Sequence, residues 1–472
     1  MKTRRGVLFL FFFSLVLFLM QVVGAAGGQA KETGTEEEVA SILYAESIPQ
    51  EMELATTLRT ADAWADLIAG AQETLDIGQY YWTLSDGARY AAYGGAEGVR
   101  ILDLLKAALA RGVRVRIVQN ALSAVSAGED TALLAARGAA VATVDFSALG
   151  LSGIFHTKLL VADGARFYVG SANSDWRSLT QVKETGVVVR GVPALAADAL
   201  RVFDAVWLAA TSNNTLPAEW PATLAALSSR QHPVPLPGAP DNATAYLAVS
   251  PPAFCTAGRT DAVESTLDAI ARAQRSIAIE LMDYMPAVVY GPAPRYWGVV
   301  DDALRAAAFR GVRVRMLLGL WAHTSPRVRP YLASLDALPH VDVRWLAVPP
   351  LAGGRPAAPF SRVSHSKFLV ADDTAYVTTS NWYADYFLDT HGVTLVADSP
   401  DLAASLQYLF DRDWASPYVH DLSYADSIIP QPSSSSSSSS AAARSASPAP
   451  LHSLFLLVFL FVTVLSLFVL HP

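Results

Sequence analysis

The sequence is nearly free of cysteine. Cys255 is the one cysteine among 472 residues, so no disulfide can form within the chain. The stability of the folded protein must therefore come from a hydrophobic core. An apolar fraction of 52% is sufficient for a large core, and the length suits two domains of roughly 200 residues each once the chain ends are set aside.

Basic residues are also scarce. Lys and Arg number 35 against 43 Asp and Glu, which gives a net charge of −8. Because duplex nucleic acid is bound through many Lys and Arg contacts to phosphate, this balance argues against a broad surface for it and leaves room only for a narrow positive site. No dense Asp, Glu and His cluster has the spacing of metal ligands, so we expect neither a metal nor a cofactor.

Both ends of the chain are apolar and lie outside the predicted domains. Basic residues, the apolar run Val7–Val23 and a small-residue stretch predict a secretory signal over residues 1–26, with an uncleaved signal anchor as the alternative. A spacer at 27–45 follows. We therefore expect the N-terminus to direct the chain into the secretory pathway.

At the other end, a Ser/Ala/Pro-rich spacer at 426–453 leads to a hydrophobic tail at 454–470. Small residues at Ala441–Ala443, a short spacer and a terminal apolar tail are typical of a glycosylphosphatidylinositol (GPI) attachment signal. A plain membrane helix is the alternative, although no basic residues follow the tail to hold it across a bilayer. Sequons at Asn213 and Asn242 fit a glycoprotein that faces the lumen or the exterior, at the cell surface or in endosomes or lysosomes.

The sequence contains an internal duplication. "RGVRVR" occurs at Arg111 and again at Arg310, and a His-x-Lys motif at His156 recurs at His365. We predict a first domain at 46–210, a linker rich in Pro, Asn and Thr at 211–244, and a second domain at 245–425. Helices predicted from apolar spacing are 62–72, 99–111, 263–275 and 299–310. Their alternation with strands predicts a mainly parallel sheet covered on both faces in each α/β domain.

The repeated motif brings polar residues to equivalent positions. "FHTKLLVADGARFYVGSANSDW" begins at Phe155, and "SHSKFLVADDTAYVTTSNWYADYF" begins at Ser364. Taken alone, one copy is compatible with two ordinary strands, whereas two copies with the same spacing favour a site. Packing about a pseudo-twofold axis would place both sets at one shared interface. The candidate residues are His156, Lys158, Asp163, Ser171 and Asn173, with His365, Lys367, Asp372, Thr379 and Asn381.

These residue types suit phosphodiester chemistry. A neutral imidazole can attack phosphorus to form a phosphohistidine, and a second, protonated imidazole can give its proton to the leaving alkoxide. Lysine, asparagine and hydroxyl groups can hold the charged phosphate, so Ser171, Asn173, Thr379 and Asn381 are our phosphate-binding candidates. No metal is then required.

Each histidine also needs an acceptor that fixes its tautomer. Glu184 and Asp389 follow the two motifs at short distances and are our candidates for this role. The alternative for both is a solvated acid that precedes a strand.

"HTKLLVAD" with "GSAN", and "HSKFLVAD" with "TTSN", resemble the paired His-x-Lys-x4-Asp motifs of the phospholipase D superfamily. "YYWTL", "TSNWYADYF" and "RDWASPY" resemble more narrowly its branch of lysosomal, membrane-associated single-strand 5′ exonucleases. The resemblance covers about Glu46 to Ala425. It implies two phospholipase D-like α/β sandwich domains with one shared active site, a phosphohistidine intermediate, metal independence, and catalytic roles for both motifs including Asp163 and Asp372, with Glu184 and Asp389 orienting the histidines.

The sequence departs from that family in three ways. Thr378 stands where the family usually has Gly, and its side chain is expected to narrow the phosphate site. The disulfide cysteines of the animal members are absent. Those members are anchored by an N-terminal helix, whereas we expect the anchor of this chain at its C-terminus.

The substrate is less determined than the mechanism. Single-stranded nucleic acid is favoured by the branch resemblance, and membrane phospholipid is the alternative, through a phospholipase D or transphosphatidylase reaction. Aromatic residues near the motifs could stack bases or could simply pack in the core. They are Tyr80, Tyr81, Trp82, Trp176 and Trp382. Histidine chemistry and the lysosomal habit of the branch predict an acidic optimum.

Overall fold

The computed structural model describes residues 40–122, 128–239, 242–290 and 293–428. The predicted signal and hydrophobic tail, and most of the spacers next to them, lie outside these ranges. Within these ranges no helix combines the length and the apolar character needed to cross a membrane. All of the described residues belong to one compact unit.

The first half of this unit is built on a seven-stranded sheet. The strands lie in the order β1-β7-β6-β5-β2-β3-β4. Their bounds are β1 (Ser41–Ser47), β2 (Thr74–Gln79), β3 (Arg114–Asn120), β4 (Ala140–Val144), β5 (Lys158–Ala162), β6 (Arg166–Gly170) and β7 (Glu184–Arg190).

The second half repeats this order strand for strand, as β8-β14-β13-β12-β9-β10-β11, and adds the edge strands Val234–Pro235 and Val419–Asp421. The duplicated α/β architecture expected from the sequence is thereby confirmed. The common strands are β8 (Thr244–Ser250), β9 (Ser276–Leu281), β10 (Arg313–Leu320), β11 (Val341–Ala347), β12 (Lys367–Ala371), β13 (Thr374–Thr378) and β14 (Gly392–Asp398).

The expectation of a mainly parallel sheet is wrong. Only β2, β3 and β4 pair with one another in parallel, and the other four pairings of the sheet, β1–β7, β7–β6, β6–β5 and β5–β2, are antiparallel. The reason is that β5 and β6 are joined by a tight turn at 163–165, and such short connections join antiparallel strands. The second half has the same mixture.

Helices cover the sheets, and each helix predicted from the sequence is present with bounds that differ by at most three residues. The first half contains α1 (Thr60–Gly70), α2 (Ala96–Ala110), α3 (Glu129–Ala135), α4 (Trp176–Thr180) and α5 (Pro193–Thr211). The second contains α6 (Ala262–Arg272), α7 (Val299–Phe309), α8 (Arg329–Asp336), α9 (Ala384–Leu388) and α10 (Pro400–Trp414).

The hydrophobic core has three parts. One cluster lies under the outer helices of each half, around Trp64 in the first and Trp345 in the second. A third is shared, because the inner faces of both sheets pack with α5 and α10 into one cluster that includes Phe155 and Phe368. The shared core fixes the two sheets relative to each other and so positions the motif strands β5 and β12.

Candidate active site

Each motif histidine is held by the opposite half. The backbone amide of His156 donates to the carbonyl of His391 (3.0 Å), and the amide of His365 donates to the carbonyl of Lys183 (2.7 Å). Lys183 and His391 are equivalent positions, one residue before Glu184 and Gly392. Reciprocal contacts of this kind are what a twofold relation produces. The two imidazoles consequently lie close together, with ring centroids 6.4 Å apart.

The two imidazoles have different partners, although their motifs are the same. Nδ1 of His365 lies 2.7 Å from Oε2 of the buried Glu184, whereas Nδ1 of His156 lies 2.9 Å from the backbone carbonyl of Thr379. Either acceptor leaves Nε2 free to react, since the Nδ1 proton is the one that is donated. Only His365 gains a carboxylate that stabilises its protonated form.

Asp389 is not brought to His156. Its carboxylate instead accepts a hydrogen bond from the hydroxyl of Ser152 (2.7 Å) at an exposed position. The sheet register explains the difference. Gly170 pairs with Gly186 and Thr378 with Thr394, so the position equivalent to Glu184 is Gly392 and not Asp389.

Electrostatics separate the two histidines further. Burial, reinforced by the ammonium groups of Lys158 and Lys367, holds the pKa of His156 well below its ordinary value. Burial also lowers the pKa of His365, but Glu184 opposes this effect. The pKa of Glu184 is lowered because His365 and Lys367 outweigh the effect of burial. His156 is therefore the imidazole that stays neutral and His365 the one that protonates more readily.

The two lysines lie beneath the histidines. Nζ of Lys158 donates to the carbonyl of His156 (2.5 Å), and Nζ of Lys367 donates to that of His365 (2.7 Å). Burial lowers the pKa of Lys158 well below its ordinary value and that of Lys367 to about 7. An anionic phosphate bound between them would favour their charged forms, because an opposite charge nearby stabilises an ammonium.

A cavity of about 300 Å³ is lined by both histidines and by Asn173 and Asn381. The hydroxyl residues Ser171 and Thr379 do not line it. Within the described residues, Oδ1 of Asn173 and of Asn381 are buried without a hydrogen-bond partner. Because an amide oxygen only accepts hydrogen bonds, the groups that can donate to a phosphate are the Nδ2 amides of these residues. The hydroxyls of Ser171 and Thr379 are instead bonded to the neighbouring strands, at Thr185 and Val393. Thr379 serves the site through its carbonyl.

The motif aspartates lie at the far ends of β5 and β12. Asp163 comes five residues after Lys158, about 16 Å along an extended strand, so it does not reach the imidazoles. Its carboxylate accepts three backbone amides, of Gln72, Glu73 and Thr74, at 2.8–3.1 Å. Asp372 does the same with Gln274, Arg275 and Ser276. Each aspartate therefore holds the N-terminal end of a central strand.

Thr378 does not narrow the phosphate site. Its side chain is buried, and its hydroxyl accepts a hydrogen bond from Thr394 (2.8 Å) in a cluster with Tyr376 and Thr266 under α6. The equivalent pair in the first half is Gly170 and Gly186, which approach each other closely beside the ring of Tyr168. The departure therefore concerns core packing.

All three tryptophans proposed to stack bases are core residues. Trp82, Trp176 and Trp382 are each 2% exposed. Tyr80 and Tyr81 do line the cavity, and the ring of Tyr80 lies 5.4 Å from that of His156.

Several cavity residues carry no repeated motif and were not found from the sequence. Asp283 and Arg177 place charge beside the site, and burial raises the pKa of Asp283 to about 6 although Lys367 opposes it. Three aromatic residues complete the wall, namely Trp321, Phe360 and Tyr386. Trp321 and Phe360 occupy loops or turns between strands, where a single sequence shows no periodicity, and Tyr386 lies in α9.

Among the described residues, no group of three or more His, Cys, Asp or Glu side chains is arranged to hold a metal ion. The sequon residues Asn213 and Asn242 are exposed.

Two histidines and two asparagines around one cavity, with a buried lysine beneath each histidine, define a phosphodiester hydrolase. A family model described as PLD3/4, PLD-like domain, matches residues 52–348. The chain therefore belongs to the PLD3/4 family of the phospholipase D superfamily.

Relatives align over most of the chain. Phospholipase D Z of Dictyostelium discoideum is 41% identical over 80% of this chain and 90% of its own length. The 5′-3′ exonuclease PLD3 of Rattus norvegicus is 39% identical over 81% of each chain, and the 5′-3′ exonuclease PLD4 of Mus musculus is 38% identical over 81% of this chain and 79% of its own. A solved phosphatidylserine synthase of Haemophilus influenzae shares the fold, with a TM-score of 0.53 at 12% identity over 76% of this chain and 84% of that one.

Proposed function

We propose that the protein is a 5′ to 3′ exonuclease of single-stranded nucleic acid that acts through a covalent phosphohistidine. The observation that supports this proposal most directly is the pair of imidazoles, whose ring centroids lie 6.4 Å apart and of which only that of His365 has a carboxylate partner. The substrate class is supported by the names of the PLD3 and PLD4 relatives, and the narrow cavity suits one strand better than a duplex.

In the first step, Nε2 of His156 attacks phosphorus while the bond from phosphorus to the leaving oxygen breaks. That oxygen takes the proton from Nε2 of His365, whose imidazolium is stabilised by Glu184. In the second step His365 takes a proton from water as the water oxygen attacks phosphorus. The phosphorus–nitrogen bond then breaks and restores His156.

Lys158, Lys367, Asn173 and Asn381 provide the donors for the non-bridging oxygens of the phosphate. Preorganised donors in a buried site stabilise the charge that builds in the transition state. We propose that the reaction needs no metal, since these donors already supply that stabilisation. Full activity in chelator is the expected result.

A second candidate is hydrolysis or transfer of a phospholipid headgroup. The name of the Dictyostelium relative, phospholipase D Z, favours it, and the same two steps apply with a different leaving alcohol. The deciding experiment supplies the purified enzyme at pH 5 with a single-stranded oligonucleotide and, separately, with phosphatidylcholine vesicles and an acceptor alcohol. Loss of nucleotides from the 5′ end, absent in His156→Ala, supports the nuclease. Headgroup release with an intact oligonucleotide would overturn it.

We also propose that the chain enters the secretory pathway, is glycosylated at Asn213 and Asn242, and is attached to the membrane through its C-terminal signal. The composition of both ends and the exposure of the two asparagines support this proposal. The expected results are a mass shift on removal of N-glycans and release from cells by a phosphatidylinositol-specific phospholipase. Retention on cells after that treatment would favour a membrane helix.

A further inference from the structure

Three aromatic side chains contact one another in series beside the cavity. The ring of Phe360 lies nearly parallel to the imidazole of His323, with centroids 5.1 Å apart and an interplanar angle of 18°. His323 packs edge-on against Trp321 at 4.6 Å. Phe360 and Trp321 line the cavity together with His365. We call Trp321, His323 and Phe360 the aromatic rim.

Phe360 adopts an unfavourable backbone conformation. Its side chain is 46% exposed, and its φ of +56° is rare for a residue with a bulky side chain. The following loop residue Arg362 has a φ of +60°. Such strain persists only where the surroundings enforce it, and it concentrates at functional sites.

The surroundings of Phe360 enforce this conformation through two arginines. Nη1 of Arg177, from the first half, donates to the carbonyl of Pro359 (2.8 Å). Nε of Arg362 donates to the carbonyl of Pro349 (2.8 Å) at the start of the same loop. These hydrogen bonds hold the loop that carries Phe360, while Phe360 itself stays 46% exposed.

In the described part of the first half, Phe360 has no aromatic counterpart. Phe360 stands five residues before His365, and the residue five positions before His156 is Leu151. Leu151 packs against the shared core. The duplication therefore does not account for the rim. The rim lies on the side of His365, the histidine that is bonded to Glu184.

We propose that the aromatic rim stacks the first base of the leaving strand, which is the strand that remains when the first nucleotide is removed. This inference rests on the proposed function, in which His365 gives its proton to the leaving oxygen, so the leaving strand must lie on the His365 side. Every base has a π face, and stacking on an aromatic ring is tolerant of sequence. The rim then contributes to the affinity for the remaining strand without selecting its sequence.

The test uses Phe360→Ala, Phe360→Tyr and a control, Phe309→Ala. Phe309 is 72% exposed at the end of α7 and does not line the cavity. The substrates are two single-stranded decamers that differ only in the second nucleotide, which carries a base in one and is abasic in the other. We measure kcat/KM for removal of the first nucleotide, together with the melting temperature of each variant.

For Phe360→Ala we expect kcat/KM to fall about tenfold on the intact decamer, the size of one lost base stack. On the abasic decamer we expect a loss below about twofold, because there is no base to stack. Phe360→Tyr and Phe309→Ala should match the wild type on both, with unchanged melting temperatures.

Equal losses on the two decamers, or no loss on the intact one, would overturn the assignment of the rim while leaving the exonuclease in place. A wild-type enzyme that leaves both decamers uncut would overturn the proposed function, and the rim assignment with it.

Discussion

Glu184 lies 2.7 Å from Nδ1 of His365, and the equivalent position in the second half is Gly392. Two motifs that are symmetric in sequence therefore form a site that is asymmetric in charge. His365 has the environment of a general acid, and His156, which is buried beside two lysines, that of a nucleophile. The following predictions depend on this difference.

We expect an acidic pH optimum. The pKa of His365 is lowered by burial, so the general acid is protonated only below its ordinary value of about 6.5. His156 stays neutral at such pH, because burial and the two lysines lower its pKa much further. The rate should therefore fall as pH rises through the pKa of His365. A profile of kcat/KM that is flat from pH 5 to 8 would contradict this assignment.

Glu184→Gln should move the alkaline side of that profile to lower pH. Glu184 is the group that raises the pKa of His365 against burial, and an amide cannot replace its charge. We expect a loss of about 10- to 100-fold at the optimum as well, within the range for weakened acid catalysis. Asp389→Asn is the matched control and should change neither the rate nor the profile. An unshifted profile in Glu184→Gln would count against the dyad.

Asp163→Asn and Asp372→Asn should lower stability more than the chemical step. Each carboxylate accepts three backbone amides, and an amide side chain cannot accept all of them as well. We expect each substitution to cost about 1–3 kcal/mol in the free energy of unfolding. Denaturant titration measures this cost. A thousandfold loss of kcat in a variant that is still folded at the assay temperature would place the aspartate in the chemistry instead.

The same aspartates predict how stability responds to acid. Burial raises the pKa of each carboxylate, but the backbone amides outweigh it, so the folded-state pKa is lowered. Their contribution is present above the unfolded pKa of about 3.9 and is lost as pH falls through the folded pKa. The wild-type protein should thus keep this contribution at pH 5, and unfolding midpoints measured between pH 5 and 2 should fall more steeply than those of Asp163→Asn.

Gly392→Ala should impair the site from the side of His156. A Cβ at this position would collide with the hydroxyl of Ser380 and crowd that of Thr379, whose carbonyl orients His156. We expect lower kcat and lower stability together. Gly112→Ala, at a position with open space around it, separates the two effects, since its positive φ imposes strain without contact to the site. Equal kcat in both variants would remove Gly392 from the account.

The sequence predicts the repeated parts of the site well, and the structure shows where repetition misleads. His156, Lys158, His365 and Lys367 converge because two copies of one strand are packed face to face. Asp389 was paired with Glu184 by its distance from the motif, whereas the sheet register, which a single sequence does not display, pairs Glu184 with Gly392. The alternation of helices and strands predicts a parallel sheet, but the turn after β5 is too short for a parallel crossover.

Residues without a repeat could not be found in this way. Phe360 and Trp321 are single aromatic residues in loops, and their place at the cavity depends on tertiary contacts such as that from Arg177 to Pro359. The terminal predictions fall outside the described residues and stand as proposals.

The most direct test of the account uses bis(4-nitrophenyl) phosphate, a diester that carries neither base nor lipid and whose leaving group needs no proton. With His365→Ala we expect a rapid burst of one nitrophenolate per enzyme, followed by slow turnover, and a phosphoryl adduct on His156 in the peptide map. His156→Ala should give no burst. A burst in His156→Ala, or an adduct on His365 in the wild-type enzyme, would contradict the assignment of nucleophile and acid.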